Sequence, residues 1–160
     1  MALVALVTGA TRASCRERRA ERPRGETVSA QQPASLRLEI SVPTEVRSGS
    51  PVPIALRARN TGGAPLELYL RGRTIAFDIV VAREDGAVVW QRLHGQTIPA
   101  ILRVETLAPG GVLELTDVWD QRTNAGQRVA PGRYTVQGML PTDAPEPLRT
   151  PPAPLRITAR

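Results

Sequence analysis

The chain has 160 residues, enough for one domain with a core of ordinary size. Its 15 Pro and 13 Gly cut it into short segments that favour strands and turns, and aromatic residues make up only 3%, so the core must rest on Leu, Val and Ile. The net charge of +6 does not mark a nucleic-acid face: residues 1–25 hold six Arg against two Glu, the remainder holds 15 Arg against 13 acids, and basic residues are not interleaved with aromatics.

The first stretch, ALVALVTGATRASCRE, has the look of a strand-to-helix turn that binds a dinucleotide. After Gly9, however, the positions where the backbone would have to approach a pyrophosphate hold Ala13 and Cys15, both with a Cβ. RERRAERPRG has no apolar stripe, and Pro23 would break a helix early. The glycine is therefore not phosphate chemistry. Residues 1–35 are expected to form a disordered, Arg-rich leader. Ala2–Val7 permits a second reading, a truncated export signal, although it lacks a basic segment before it and is shorter than a signal core. One cysteine excludes an intrachain disulfide and a zinc cluster, and no run reaches the roughly 18 apolar residues of a membrane span.

From Leu36 the texture changes. LRLEISV (36–42) alternates with period two, as a half-buried strand does, and Pro43 ends it. SGSP (48–51) is a turn; VPIALRARN (52–60) repeats the alternation and NTGGAP (60–65) closes it. LELYL (66–70) is a further strand. AFDIVVARED (76–85) places Phe77, Ile79 and Val81 on one face, and Asp85-Gly86 turns it into AVVWQRL (87–93). ILRVETL (101–107) follows, then APGG (108–111) and VLELTDVWD (112–120). NAGQRVAPG (124–132) is a long turn before RYTVQGML (133–140). The Pro-rich segment 142–154 is expected to be neither helix nor central strand, and LRITA (155–159) to be an edge strand. Eight or nine short strands without a helix predict an antiparallel β-sandwich over 36–160.

Chemistry-bearing residues are sparse. His94 is the only histidine, in the loop LHGQT; Asp117 or Asp120 could orient it, but no serine stands in a nucleophile elbow. Glu84-Asp85 and Asp117/Asp120 lack the ladder of a calcium loop, and Asp-Gly is first a turn pair. Trp90 and Trp119 lie inside alternating strands and are expected in the core. These readings exclude no single chemistry but favour a non-enzymatic protein with no metal and no cofactor.

Taken together, Phe77-Asp78, Asp85-Gly86, Trp90, His94-Gly95, Leu107 with Pro109-Gly110, Trp119-Asp120, Gly126, Pro131-Gly132 and Tyr134 resemble the intracellular proteinase inhibitor family of Bacillus type (BsuPI). The resemblance covers about 36–140 and is strongest from Phe77. It implies an immunoglobulin-like β-sandwich and a bacterial inhibitor of subtilisin-like serine proteases. It also implies a cytoplasmic location, against export or envelope association if Ala2–Val7 is a signal remnant. LRGRTIAFDI and HGQTIPAI depart from the family's usual pattern, the second by lacking a Phe after His-Gly. Inhibition by such a fold requires rigid loops that enter a protease cleft uncut. The candidates are NTGGAP (60–65), QRTNAGQRV (121–129) and above all His94, Gly95, Gln96, Thr97, Ile98 and Pro99, where an apolar Ile precedes a stiffening Pro. A monomer with a protease partner is expected. The other reading is a non-inhibitory interaction or structural module of an exported cell-envelope protein.

Overall fold

The computed structural model describes residues 35–159; the leader, Cys15 and the export-signal reading lie outside the described residues. Eleven strands and no helix are found among them. The first six are β1 (Leu36–Ser41), β2 (Glu45–Arg47), β3 (Val52–Asn60), β4 (Leu66–Arg71), β5 (Asp78–Arg83) and β6 (Val88–Gln91). They are followed by β7 (Leu102–Leu107), β8 (Val112–Trp119), β9 (Gly132–Leu140), β10 (Leu148–Arg149) and β11 (Ala153–Thr158). One sheet runs β1-β3-β8 and the facing one β2-β11-β9-β5-β6, with β10 on the end of β9; β4 and β7 form a separate pair. All pairings are antiparallel except that of β2 with β11.

The alternation written in the sequence becomes burial. In β3, Val52, Ile54, Leu56 and Ala58 turn inward while Pro53, Arg57 and Arg59 face water. From the other sheet Ile79, Val81, Val136, Leu155 and Ile157 meet them. Each such side chain contributes about 1.5–3 kcal/mol on leaving water. The faces approach closely at Gly138, where an added Cβ would meet Leu56 Cδ1 and force that side chain to shift.

Two points depart from the strand reading. β11 is not an edge, because β2 adds to it in parallel, pairing Arg156 with Glu45 and Thr158 with Arg47. The Pro-rich segment contributes β10, which covers the last residues of β9. Pro154 is accommodated within β11 opposite Thr135.

The loops gather at two ends. The tyrosine end, after Tyr134, holds 48–51, 84–87 and 120–131. Here Trp119 is 1% exposed, with ring centroids 6.1 Å from Trp90 and 6.2 Å from Tyr134. Tyr134 Oη donates to Ala130 O at 2.6 Å, four residues upstream. This is the tyrosine corner of immunoglobulin-like sandwiches. Burial pushes its phenol pKa up. The histidine end, after His94, holds 61–65, 72–77, 92–101, 108–111 and 141–147. The β4–β7 pair spans the gap between the sheets there. Asn60, at the end of β3, donates to Leu107 O, and the Asp143 N–H beyond β9 donates to Tyr69 O.

Candidate functional site

The loop carrying His94 is suspended from a buried carboxylate. β5 is an interior strand between β9 and β6, and Asp78, on the face opposite Phe77 and Ile79, is only 6% exposed. Asp78 Oδ1 accepts the N–H groups of Ile79 (2.9 Å) and Leu93 (3.0 Å), and Oδ2 accepts the Gln91 side-chain amide. A carboxylate held this way fixes the direction in which the chain leaves β6.

Arg92 supplies the second anchor. Its N–H donates to Ile79 O, its Nη1 to Phe77 O at 2.8 Å, and its guanidinium lies 3.9 Å from the Phe77 ring centre. Its Nε pairs with Asp117 on β8, joining the two sheets; the partners are 28% and 32% exposed, so water screens the pair only in part. Past this stem, His94 N–H donates to Gln91 O and Gln96 N–H to Leu93 O, with Gly95 at φ +69° in the left-handed region.

His94, Gly95, Gln96, Thr97 and Pro99 are exposed, so the structure brings five of the six sequence-predicted residues to the surface of one loop. Ile98 differs. It is half-buried and lines a cleft of about 200 Å³ against residues 72–76. The apolar side chain that drew attention in the sequence thus faces this cleft, and the exposed run before it is His94–Thr97.

The other two candidate loops separate. NTGGAP lies at the same end, organised by Asn60, which is completely buried. Its Nδ2 donates to Ala64 O and Leu107 O, and its Oδ1 accepts the Gly62 N–H. QRTNAGQRV lies at the tyrosine end, where Asn124 closes the β6 edge by bonding both backbone groups of Gln91. In that loop Gln121 is 3% exposed and has φ +59°, unusual outside glycine. Its amide accepts from Gly49 N–H and donates to Arg47 O and Ser50 O.

The remaining polar candidates have structural partners. Asp117 is engaged by Arg92, and Asp120 by Arg122 and its backbone N–H, so neither orients His94. Asp85 Oδ1 accepts the Ala87 N–H in the hairpin turn, with Gly86 at φ +85°. Sequence reasoning missed Asp78, Asn60, Gln121 and the Arg92–Asp117 pair as organisers. The one available signal was Asp78 directly before Ile-Val-Val, a polar residue at the mouth of an apolar run.

The fold defines an immunoglobulin-like β-sandwich with loops gathered at its two ends. The residue pattern carries the assignment further. The family model for intracellular proteinase inhibitors (BsuPI) matches residues 38–145, and the chain belongs to that family. The match ends before β10 and β11, which complete the second sheet. No curated protein matches the chain.

Among solved structures, the alkylpurine DNA glycosylase AlkC of Pseudomonas fluorescens is 15% identical with TM-score 0.46, over 82% of this chain and 32% of that one. This chain therefore spans about a third of the length of the glycosylase. The CARDB domain of the PF1109 protein of Pyrococcus furiosus is 13% identical with TM-score 0.41, over 78% and 94%. The C-terminal domain of wzt is 11% identical with TM-score 0.47, over 78% and 74%.

Proposed function

We propose that the protein is a non-enzymatic inhibitor of a subtilisin-like serine protease, each chain acting through its own histidine-end loop His94–Pro99. One observation carries the reading: the loop tip is exposed while its entry is fixed and its exit runs along the cleft against 72–76. Asp78 and Arg92 hold the entry, and at the exit Ile98, half-buried, and Pro99 line the cleft against 72–76. An inhibitory loop needs this combination. A loop already ordered loses little entropy on entering a cleft, and one that cannot relax after attack is a poor substrate. Gln96 and Thr97 supply polar groups to pair with a protease backbone, and His94 gives the tip its only ring.

The test is titration of the full chain against a panel of subtilisin-like proteases with a fluorogenic peptide, beside a variant carrying Gln96→Gly and Thr97→Gly. The wild type is expected to inhibit at micromolar concentration or below, and the variant to be weaker by about tenfold or more at unchanged thermal stability. Equal inhibition by both would move the site elsewhere. Full protease activity across the panel would refute the target class.

A further inference from the structure

The two-stranded β4–β7 sheet has one edge covered and one open. On the β4 side, Leu70 bridges to Thr142 and Asp143 N–H donates to Tyr69 O. On the β7 side, no described strand or loop pairs with the edge. The β6 edge, by contrast, is closed at Gln91, where Asn124 takes both backbone groups. β7 also carries no Pro and exposes Ile101 (41%), Leu102 (52%) and Val104 (51%), with Tyr69 (38%) directly opposite Val104 on β4. A long, open, apolar edge invites another strand.

Register says which strand fits. Gly72 N–H donates to Ile101 O, and Arg71 pairs with Leu102. In an antiparallel ladder the inward-bonding residues alternate, so Arg103, Glu105 and Leu107 bond to β4. The N–H and C=O groups of Leu102, Val104 and Thr106 therefore point out of the edge. Arg103 and Glu105 flank Val104 symmetrically and share the opposite face, where they pair within the strand at 3.3 Å. An antiparallel copy of β7 centred on Val104 would set Val104 against Val104 and Leu102 against Thr106 as hydrogen-bonded pairs, making about six backbone bonds. Each Arg103 would then face the Glu105 of the other copy at the close, non-hydrogen-bonded positions, where side chains interact most. The segment is complementary to itself in hydrogen bonding and in charge.

We propose that β7 is a dimerisation edge, and that two copies of the chain join through it into a four-stranded β4-β7-β7-β4 sheet with a shared Tyr69–Leu102–Val104 face. The association departs from the monomer expected from the sequence. The two β7 starts, each following a His94 loop, would then lie about 20 Å apart at opposite ends of the new ladder, so that a dimer carries two such loops.

Sedimentation equilibrium of the full chain from 1 µM to about 1 mM, read with the charge pair, tests the proposal. The wild type is expected to move with concentration towards twice the monomer mass. Arg103→Glu, which sets carboxylates opposite each other, is expected to weaken the dimer about tenfold or more. Adding Glu105→Arg to it is expected to restore the wild-type constant. Val104→Lys, which places two ammonium groups at the symmetry axis, is expected to be monomeric throughout. If the Val104→Lys chain no longer unfolds cooperatively, the charge pair decides alone, since the Arg103 and Glu105 side chains remain 45% and 35% exposed and neither belongs to the core. A wild type that stays monomeric to 1 mM overturns the proposal, as does a dimer that Arg103→Glu leaves unchanged. A monomer whose protease inhibition vanishes in Val104→Lys also overturns it, by assigning the edge to a protease strand. Loss of inhibition in the loop variant has no bearing on this result, so the two readings fail separately.

Discussion

Gln121 is expected to be among the costliest polar residues to remove. Its side chain makes three hydrogen bonds to the 47–50 turn, at 2.7, 2.8 and 2.8 Å, in a setting where the residue is 3% exposed. Gln121→Ala leaves Gly49 N–H and Ser50 O without these partners; Arg47 O keeps the Ser50 N–H at 3.1 Å. At about 1 kcal/mol for each bond wholly lost, with a further penalty for polar groups left without water, the expected loss is about 2–3 kcal/mol. The backbone separates this from a second effect. At φ +59°, alanine bears the same left-handed strain as glutamine, whereas glycine is relieved of roughly 1 kcal/mol. Gln121→Gly should therefore be more stable than Gln121→Ala by about that amount, although it has lost the same hydrogen bonds. Urea unfolding followed by Trp119 fluorescence measures both, with Tm falling by about 10 °C in the alanine variant. An alanine variant within about 0.5 kcal/mol of wild type would refute the hydrogen-bond reasoning. A glycine variant no better than alanine would refute the strain reasoning.

Tyr134→Phe removes the 2.6 Å bond to Ala130 O and is expected to cost about 1–2 kcal/mol by the same unfolding assay. Because burial raises the Tyr134 pKa in the folded state, its contribution is complete below about pH 10 and declines as pH rises from there through the folded pKa. The phenylalanine variant should lack that part of the alkaline loss, which stability measured between pH 8 and 11 will show. Gly138→Ala puts a Cβ against Leu56 Cδ1, forcing that side chain to shift, and is expected to cost about 1–3 kcal/mol. Combining it with Leu56→Ala should cost less than the sum of the two single variants, and additive losses would place the strain elsewhere.

The strands were legible wherever one face alone was buried. β3 follows the pattern of VPIALRARN residue for residue, and β1 and β8 alternate as their sequences do. β2 was not legible, because three residues of Glu-Val-Arg carry no period, and their partner β11 lies more than 100 residues away in sequence. β11 read as an edge for the same reason. The organising polar residues escaped for a different one. Asp78, Asn60 and Gln121 are types usually found at the surface, and their burial depends on donors and acceptors that only the folded chain assembles. The candidate loop was singled out by apolar Ile98 before Pro99, and the fold adds that Ile98 is half-buried and lines a cleft against 72–76.

The residues that carry the family resemblance divide between the two ends, and the division bears on function. Asp85-Gly86, Trp90, Trp119-Asp120, Gly126, Pro131-Gly132 and Tyr134 all build the tyrosine end, in its turn, aromatic cluster and corner. They secure the fold and lie away from the candidate loop His94–Pro99. Phe77-Asp78 and His94-Gly95 belong to the histidine end, where they hold the loop's stem. Both departures from the family's usual pattern, LRGRTIAFDI and HGQTIPAI, fall at this same end, on either side of the cleft that receives Ile98. A chain can thus keep its stem anchors while changing what the tip displays. Target choice in this protein is therefore best sought by exchanging residues 72–76 and 96–99 together, since each segment forms one wall of the other's support.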